Sequence, residues 1–253
     1  MKKIFTVCVV SLFSLSLYAK TRIEIAEENS PAVVAINVLR NDGTTFTGTG
    51  FVVSSDGIIA TSRHVTDDAL FLNLTFNTGA VSGQAHILNL NKQVDLALLK
   101  IAARDLPTVH LADSDYVLPG QEITVIGNPR RLQNTISSGL ISQVRKKANG
   151  VLWHQISAPI SPSSSGSPVF NEQGNVVGIA FGSYKGEGNQ NLNFAVPSNY
   201  LTEMLRKAGY PPPLAKDGAE QATPSNVPLW ERFTNHLKLC WESTCRLLNH
   251  NRE

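Results

Sequence analysis

Between Pro31 and Pro197 short apolar runs rich in Val, Ile, Leu, Phe and Thr follow one another, each closed by a turn signal. They fall at Ala32–Val38, Gly50–Ser54, Ile58–Thr61, Leu70–Phe76, Ala85–Leu90, Leu96–Ile101, Glu122–Ile126, Gly139–Val144, Val151–Ser157, Val169–Asn171, Val176–Phe181 and Asn191–Val196. Asn-Asp-Gly, Asp-Gly, Gly-Asn-Pro and Glu-Gln-Gly-Asn separate them, and turn signals at this spacing predict a sandwich or barrel. No long amphipathic helix alternates with the runs, which argues against a doubly wound α/β sheet. Twelve strands are too many for one small barrel, and they divide around Asp113–Gln121. The pattern therefore predicts an all-β fold of two antiparallel six-stranded barrels, 20–115 and 116–209.

Beyond the strands the periodicity changes. Ser198–Gly209 reads as a short helix closing the second barrel, with Ser198 as its N-cap, Arg206 and Lys207 suited to its C-terminal dipole and Gly209 to end it. A Pro-rich and polar linker covers 210–228. Residues 229–253 then read as an amphipathic C-terminal helix. Trp230, Phe233, Leu237, Cys240, Trp241, Thr244 and Leu248 lie on one stripe, which either docks on the chain's own barrel or faces a partner or membrane surface. Self-assembly or partner contact is expected to run through residues 229–250.

At the other end, Lys2-Lys3 precedes an almost uncharged run from Ile4 to Tyr18 and a small residue, Ala19. This is the order of a cleavable signal peptide, 1–19, and the run is shorter than the ~20 residues that span a bilayer. The mature chain is expected to be exported, periplasmic or secreted, after cleavage near Ala19, with no stable membrane span. Of 22 basic residues Lys2 and Lys3 leave with that segment, which holds no acid, so 20 of each sign remain and nothing draws the chain electrostatically to nucleic acid or anionic lipid. Export permits disulfides, and Cys240 and Cys245 are what the mature chain keeps. Five apart in a continuous helix, their Cα atoms stand ~8–9 Å apart, beyond disulfide reach. Three states stay open: a break in the helix, two free thiols, or pairing with another chain.

Three segments carry chemistry. Gly48-Thr-Gly50-Phe with Thr61-Ser-Arg-His64-Val holds a histidine, Val94-Asp95-Leu-Ala-Leu-Leu-Lys100 an aspartate, and Ser161-Pro-Ser163-Ser-Ser165-Gly-Ser-Pro168 a serine cluster. A serine hydroxyl is hardly ionised at neutral pH and needs a base within hydrogen-bond reach. Imidazole can take and return that proton, and a buried carboxylate fixes its tautomer. The assignment is Ser165 as nucleophile, His64 as general base and acid, and Asp95 as orienter, with the backbone N–H groups of Ser163 and Ser165 as oxyanion donors. Taken singly, each has a plainer explanation: a packed core histidine, a turn aspartate beside Lys92 and Gln93, a Ser-Pro linker.

The flanks decide between these. Ser30-Pro-Ala-Val-Val, Gly48-Thr-Gly50-Phe with Asp56-Gly57, Thr61-Ser-Arg-His64-Val, Asp95-Leu-Ala-Leu-Leu-Lys-Ile, Ile126-Gly-Asn-Pro129, Ser138-Gly-Leu-Ile-Ser142, Ser165-Gly-Ser-Pro168-Val and Phe194-Ala-Val-Pro-Ser198 occur in one collinear order. From about Ser30 to Leu205 the chain resembles the chymotrypsin-fold serine proteases, in particular the Deg or high-temperature-requirement branch. The resemblance puts His64, Asp95 and Ser165 at the family's triad positions, in a cleft between the barrels, and implies an exported serine endopeptidase acting on proteins or peptides through an acyl-enzyme.

It also exposes departures. Ser163 stands where the family usually has glycine, and its Cβ disfavours the backbone conformation that aims the oxyanion donor; Ser167 replaces another common glycine. Ser164 precedes the nucleophile where digestive members carry Asp, so activity without further propeptide removal is expected. Pro159 lies where trypsin-type members place a carboxylate, which points to apolar side chains before the cut. Phe181, Gly182 and Ser183 match the strand that pairs with substrate backbone. Some 44 residues follow Gly209, fewer than a PDZ module of the Deg branch needs. Two rivals from other classes stay in view: a proteolytically silent peptide-binding protein of the same fold, and a structural protein assembled through its terminal helix. No cofactor is implied, and no metal, because His64, His86, His110, His154, His236 and His250 are scattered and the cysteines lack a second pair.

Overall fold

A computed structural model describes residues 19–128, 134–183 and 192–215. The signal segment up to Tyr18, Pro129, Asn191, Cys240, Cys245, His236, His250 and the expected terminal helix lie outside the described residues. The described residues up to Pro213 form one compact unit.

All twelve expected strands form. β1 (Val33–Arg40), β2 (Thr45–Ser54), β3 (Ile58–Ser62), β4 (Ala69–Phe76), β5 (His86–Asn91) and β6 (Leu96–Lys100) make one antiparallel sheet in the order β4-β1-β2-β3-β6-β5. β7 (Glu122–Gly127), β8 (Thr135–Lys146), β9 (Leu152–Ile156), β10 (Pro168–Phe170), β11 (Val176–Ser183) and β12 (Asn193–Pro197) close into a barrel, β10-β11-β12-β9-β8-β7. The first sheet is a half-barrel. Its edges β4 and β5 share no ladder; instead the chain leading into β5 lies along β4, with Ser82 N–H donating to Leu74 O and Ala85 N–H to Leu72 O, both at 2.8 Å.

Burial follows position in the sheet. Central β3 is buried at every residue and β6 at all but Lys100, because their second face meets other apolar layers, whereas edge strand β5 has no fully buried residue. Val177, Ile123, Val125, Ile141, Ile156, Val169 and Ala195 fill the closed barrel. A larger core joins the half-barrel (Ile36, Phe51, Ile59, Leu98) to the outer face of the closed one (Ile126, Phe170, Ile179, Val196). This shared apolar core is what makes the two sheets one unit.

Helix α1 (Arg22–Asn29) lies where no helix was expected, although Thr21 and Glu24 form a capping box: the Thr21 side chain accepts from the Glu24 N–H and the Glu24 carboxylate from the Thr21 N–H. Ile25 and Ala26 join the large core. Helix α2 (Ser198–Lys207) is the expected closing helix, with a correction at its start. Pro197 is the N-cap residue, and the Ser198 hydroxyl donates to Ala112 O at 2.8 Å. Capping comes from across the fold, where Ser114 Oγ accepts the Asn199 N–H at 3.0 Å. At the other end Gly209 takes φ +82° and Tyr210 N–H bonds Leu205 O, as a glycine-terminated helix requires.

Candidate active site

His64 lies in a short 3-10 turn directly after β3, and Asp95 in the turn directly before β6. β3 and β6 are neighbours, with Ser62 opposite Leu96, so the ladder register alone brings the two together. Asp95 has φ +58°, a left-handed conformation that aspartate tolerates better than most residues. There its carbonyl accepts the Arg63 N–H at 2.9 Å, its Oδ1 the His64 N–H at 3.0 Å, and its Oδ2 lies 2.6 Å from His64 Nδ1. A carboxylate only accepts, so Nδ1 is the donor of this pair, and in the neutral ring the lone pair then falls on Nε2. Both side chains are partly buried, His64 at 33% and Asp95 at 23% exposure, which leaves the imidazole reachable.

Arg63 adds a cation that sequence reasoning passed over. Its Nη1 bonds Asp67 Oδ1, and its buried Nε lies 3.5 Å from Asp95 Oδ1, an ion-pair distance without hydrogen-bond geometry. The signal was available, as a basic residue directly preceding the candidate base.

Ser165 arrives from the closed barrel, on the turn before β10. The half-barrel grips this turn. Thr49 N–H donates to Ser165 O at 2.9 Å, and the Thr49 hydroxyl to Ser163 O at 2.8 Å. Gly166, at φ +89°, fits so closely that a Cβ there would overlap the Thr49 carbonyl and the Thr61 hydroxyl and lie 3.1 Å from Ser62 N, two residues before His64. The Ser165 hydroxyl donates to Phe181 O at 3.4 Å, a long bond, and His64 is not its partner. The structure therefore joins His64 to Asp95 directly and sets Ser165 on a turn packed against the same strand end.

Ser163 has φ +74°. The other described non-glycine residues with positive φ are Asp68, Asp95, Asp105 and Asn134, residue types enriched in that region, so Ser163 is the strained one. Around it the amides of Ser164, Gly166 and Ser167 are bonded to Ser161 O, Ala180 O and Ser164 O. The N–H groups of Ser163 and Ser165 have no acceptor among the described residues.

Of the residues expected to meet substrate, Phe181 packs its ring on Trp153 and Phe194, with centroids 4.8 and 6.4 Å away. Gly182 and Ser183 pair with Phe194 and Asn193 on the β12 side. Pro159 O accepts the Ser137 hydroxyl at 3.0 Å, and the preceding Ala158 O accepts Asn193 Nδ2 at 2.7 Å. His154 makes no hydrogen bond to His64, Asp95 or the Ser165 turn. It is 1% exposed on β9, Nδ1 has no partner, and burial pushes its pKa down to about 4. Among the described residues no group of His, Cys, Asp and Glu could hold a metal ion, and no helix is long and apolar enough to cross a membrane.

A trypsin-like peptidase domain matches residues 48–179, a span that contains His64, Asp95 and Ser165. The protein named "Probable periplasmic serine endoprotease DegP-like" of Marinomonas sp. (strain MWYL1) is 37% identical over 162 residues, 62% of this chain and 34% of its own length. Serine protease HTRA1 of Xenopus laevis is 30% identical over 199 residues, 73% of this chain and 42% of its own. Among solved structures, the HtrA-type protease AlgW with tripeptide superposes with a TM-score of 0.69 at 26% identity, over 74% of this chain and 63% of that one. The serine endoprotease from Yersinia pestis gives 0.66 at 27% identity, over 76% and 67%. The chain thus spans about a third of the DegP-like relative it matches.

Proposed function

The chain belongs to the trypsin-like peptidase family, and from that premise we propose that it is an exported serine endopeptidase of the DegP/HtrA type. One observation carries the assignment of roles: the His64 ring is held by Asp95 at 2.6 Å and lies at the same strand end that clamps the Ser165 turn. Ser165 Oγ attacks the carbonyl carbon of a peptide bond while its proton passes to His64 Nε2. Asp95 stabilises the imidazolium, and the Ser163 and Ser165 N–H groups receive the oxyanion. His64 returns the proton to the leaving amine as the C–N bond breaks. Water, deprotonated by His64, then attacks the acyl carbon, and as the bond to Ser165 Oγ breaks His64 returns that proton to the Ser165 oxygen.

Substrate enters as an extended peptide along β11. Past Ala180, whose backbone groups are bonded to Ser167 O and the Gly166 N–H, that strand has β12 on one side and no strand among the described residues on the other, an edge suited to β-addition. With Pro159 where a carboxylate would select Arg or Lys, apolar side chains before the scissile bond are favoured.

The silent peptide-binding alternative has its own support, since the Ser165 hydroxyl is bonded to Phe181 O and Ser163 is strained. Labelling with a fluorophosphonate, run beside a casein digest, separates the two. Wild type labels and digests, Ser165→Ala does neither, and Asp95→Asn loses on the order of 10⁴-fold in kcat. A folded wild type that neither labels nor digests, with peptide added, overturns the peptidase assignment.

A further inference from the structure

Thr49 is fully buried in β2, and each of its polar atoms serves the Ser165 turn or the strands that hold it. Its N–H bonds Ser165 O, and its carbonyl accepts the Thr61 hydroxyl at 2.7 Å. Its own hydroxyl does two things at once: it accepts the Asn128 N–H at 3.0 Å and donates to Ser163 O at 2.8 Å. The chain Asn128 N–H, Thr49 hydroxyl, Ser163 carbonyl thus runs from the end of β7 through the half-barrel and back to the nucleophile turn.

Ser163 needs such a hold. A side-chain-bearing residue that is neither Asp nor Asn is biased against φ near +74° by about 5- to 30-fold. Strained backbone persists where its surroundings over-determine it. The Ser163 amide has no acceptor among the described residues, so nothing at that end fixes the residue, and its carbonyl does. We infer that the Thr49 hydroxyl is a latch that holds Ser163 in the left-handed conformation, and thereby keeps the Ser163 and Ser165 N–H groups presented together. Without the hydroxyl the Ser163 carbonyl loses its partner, the residue returns to negative φ, and its N–H turns away from that of Ser165. Thr49 is a positioning residue, and its role rests on the peptidase reading of Ser165.

The test uses the full mature chain. Thr49→Val, of equal size without the hydroxyl, lowers kcat and the fluorophosphonate labelling rate by about 5- to 30-fold and moves KM less than twofold. Thr49→Ser recovers most of that loss. Ser163→Gly added to Thr49→Val also recovers it, because glycine takes positive φ without a latch; a merely structural Thr49 would not be rescued from a residue on the other sheet. Labelling of Thr49→Val within twofold of wild type, or no recovery in the double variant, overturns the inference. Should Thr49→Val not fold, Thr49→Cys, whose thiol is a weak hydrogen-bonding group, takes its place under the same outcomes. A crystal structure of the variant decides the matter independently of turnover: a negative φ at Ser163 supports the latch, and retention near +74° overturns it. If wild type proves inert, the peptidase reading falls and that crystallographic arm alone judges the latch.

Discussion

Acid should destabilise this protein through His154 before most carboxylates are protonated. The ring sits in the closed barrel between Val144 on β8 and Ala195 on β12, with Gly178 of β11 beside it, so none of these neighbours carries a charge to stabilise an imidazolium. Burial lowers its pKa from 6.5 to about 4. The folded form thus binds this proton more weakly than the unfolded form does. The stability at stake is fully present above pH 6.5, falls as pH drops below it, and stops falling below about pH 4. Linkage between those values gives a loss of about 2 kcal/mol at pH 5 and roughly 3 kcal/mol at its limit. For a chain of this size 2 kcal/mol corresponds to ~4–8 °C in Tm. The assay is urea unfolding of wild type and His154→Leu from pH 7.5 to 4.5, where carboxylate titration is common to both and cancels in the difference. The wild-type deficit should grow by about 2 kcal/mol between pH 7 and pH 5. A difference that stays flat within 0.5 kcal/mol over that interval, a quarter of the effect expected from this burial, would refute the reasoning, because it would mean that the ring finds a partner or water on protonation.

Two further outcomes follow from the site. Gly166→Ala forces a Cβ into the Thr49 carbonyl at φ +89° and should cost at least ~2 kcal/mol in urea unfolding together with loss of labelling; a variant of wild-type stability and labelling contradicts the packing described. A peptide-library profile should peak at apolar residues before the scissile bond, and a peak at Arg or Lys would show that Pro159 does not mark the base of the pocket.

The strands were legible because each is a local event: an apolar run, a turn signal, a period of two. Two of the three plainer explanations weighed against the site turn out to be partly right. Asp95 is a turn residue, at φ +58°, and it is this turn that aims both of its oxygens at His64. A histidine packed into an apolar core does exist, but it is His154 rather than His64. What escaped the sequence depends on distant partners. Ser198 looked like a cap until Ser114, 85 positions away from Asn199, supplied the acceptor. Thr49 looked like part of a glycine motif, and its hydrogen bond to Ser163, 114 positions on, is visible only once two sheets dock. The α1 capping box was local and readable, yet the helix is only eight residues long, with a weak apolar face, so periodicity carried little signal.

The relative size of two terms locates the control of competence. The hydroxyl of Ser165 is turned to Phe181 O, and at 3.4 Å that bond belongs at or below the weak end of the ~0.5–1.5 kcal/mol range, so rotating it towards His64 costs little. Holding Ser163 left-handed costs about 1–2 kcal/mol, and reversing it would also orphan the Ser163 carbonyl and disturb the Asn128 amide bonded to the same hydroxyl. The backbone of residue 163 is therefore the stiffer coordinate, and the rotamer of Ser165 the softer one. Next to Ser165, the Gly166 N–H is bonded to Ala180 O at 2.6 Å, an oxygen that also accepts the Ser62 hydroxyl at 3.4 Å, one residue before Phe181 on β11. On the peptidase reading, a peptide adding to β11 beyond Ala180 would lie next to these bonds.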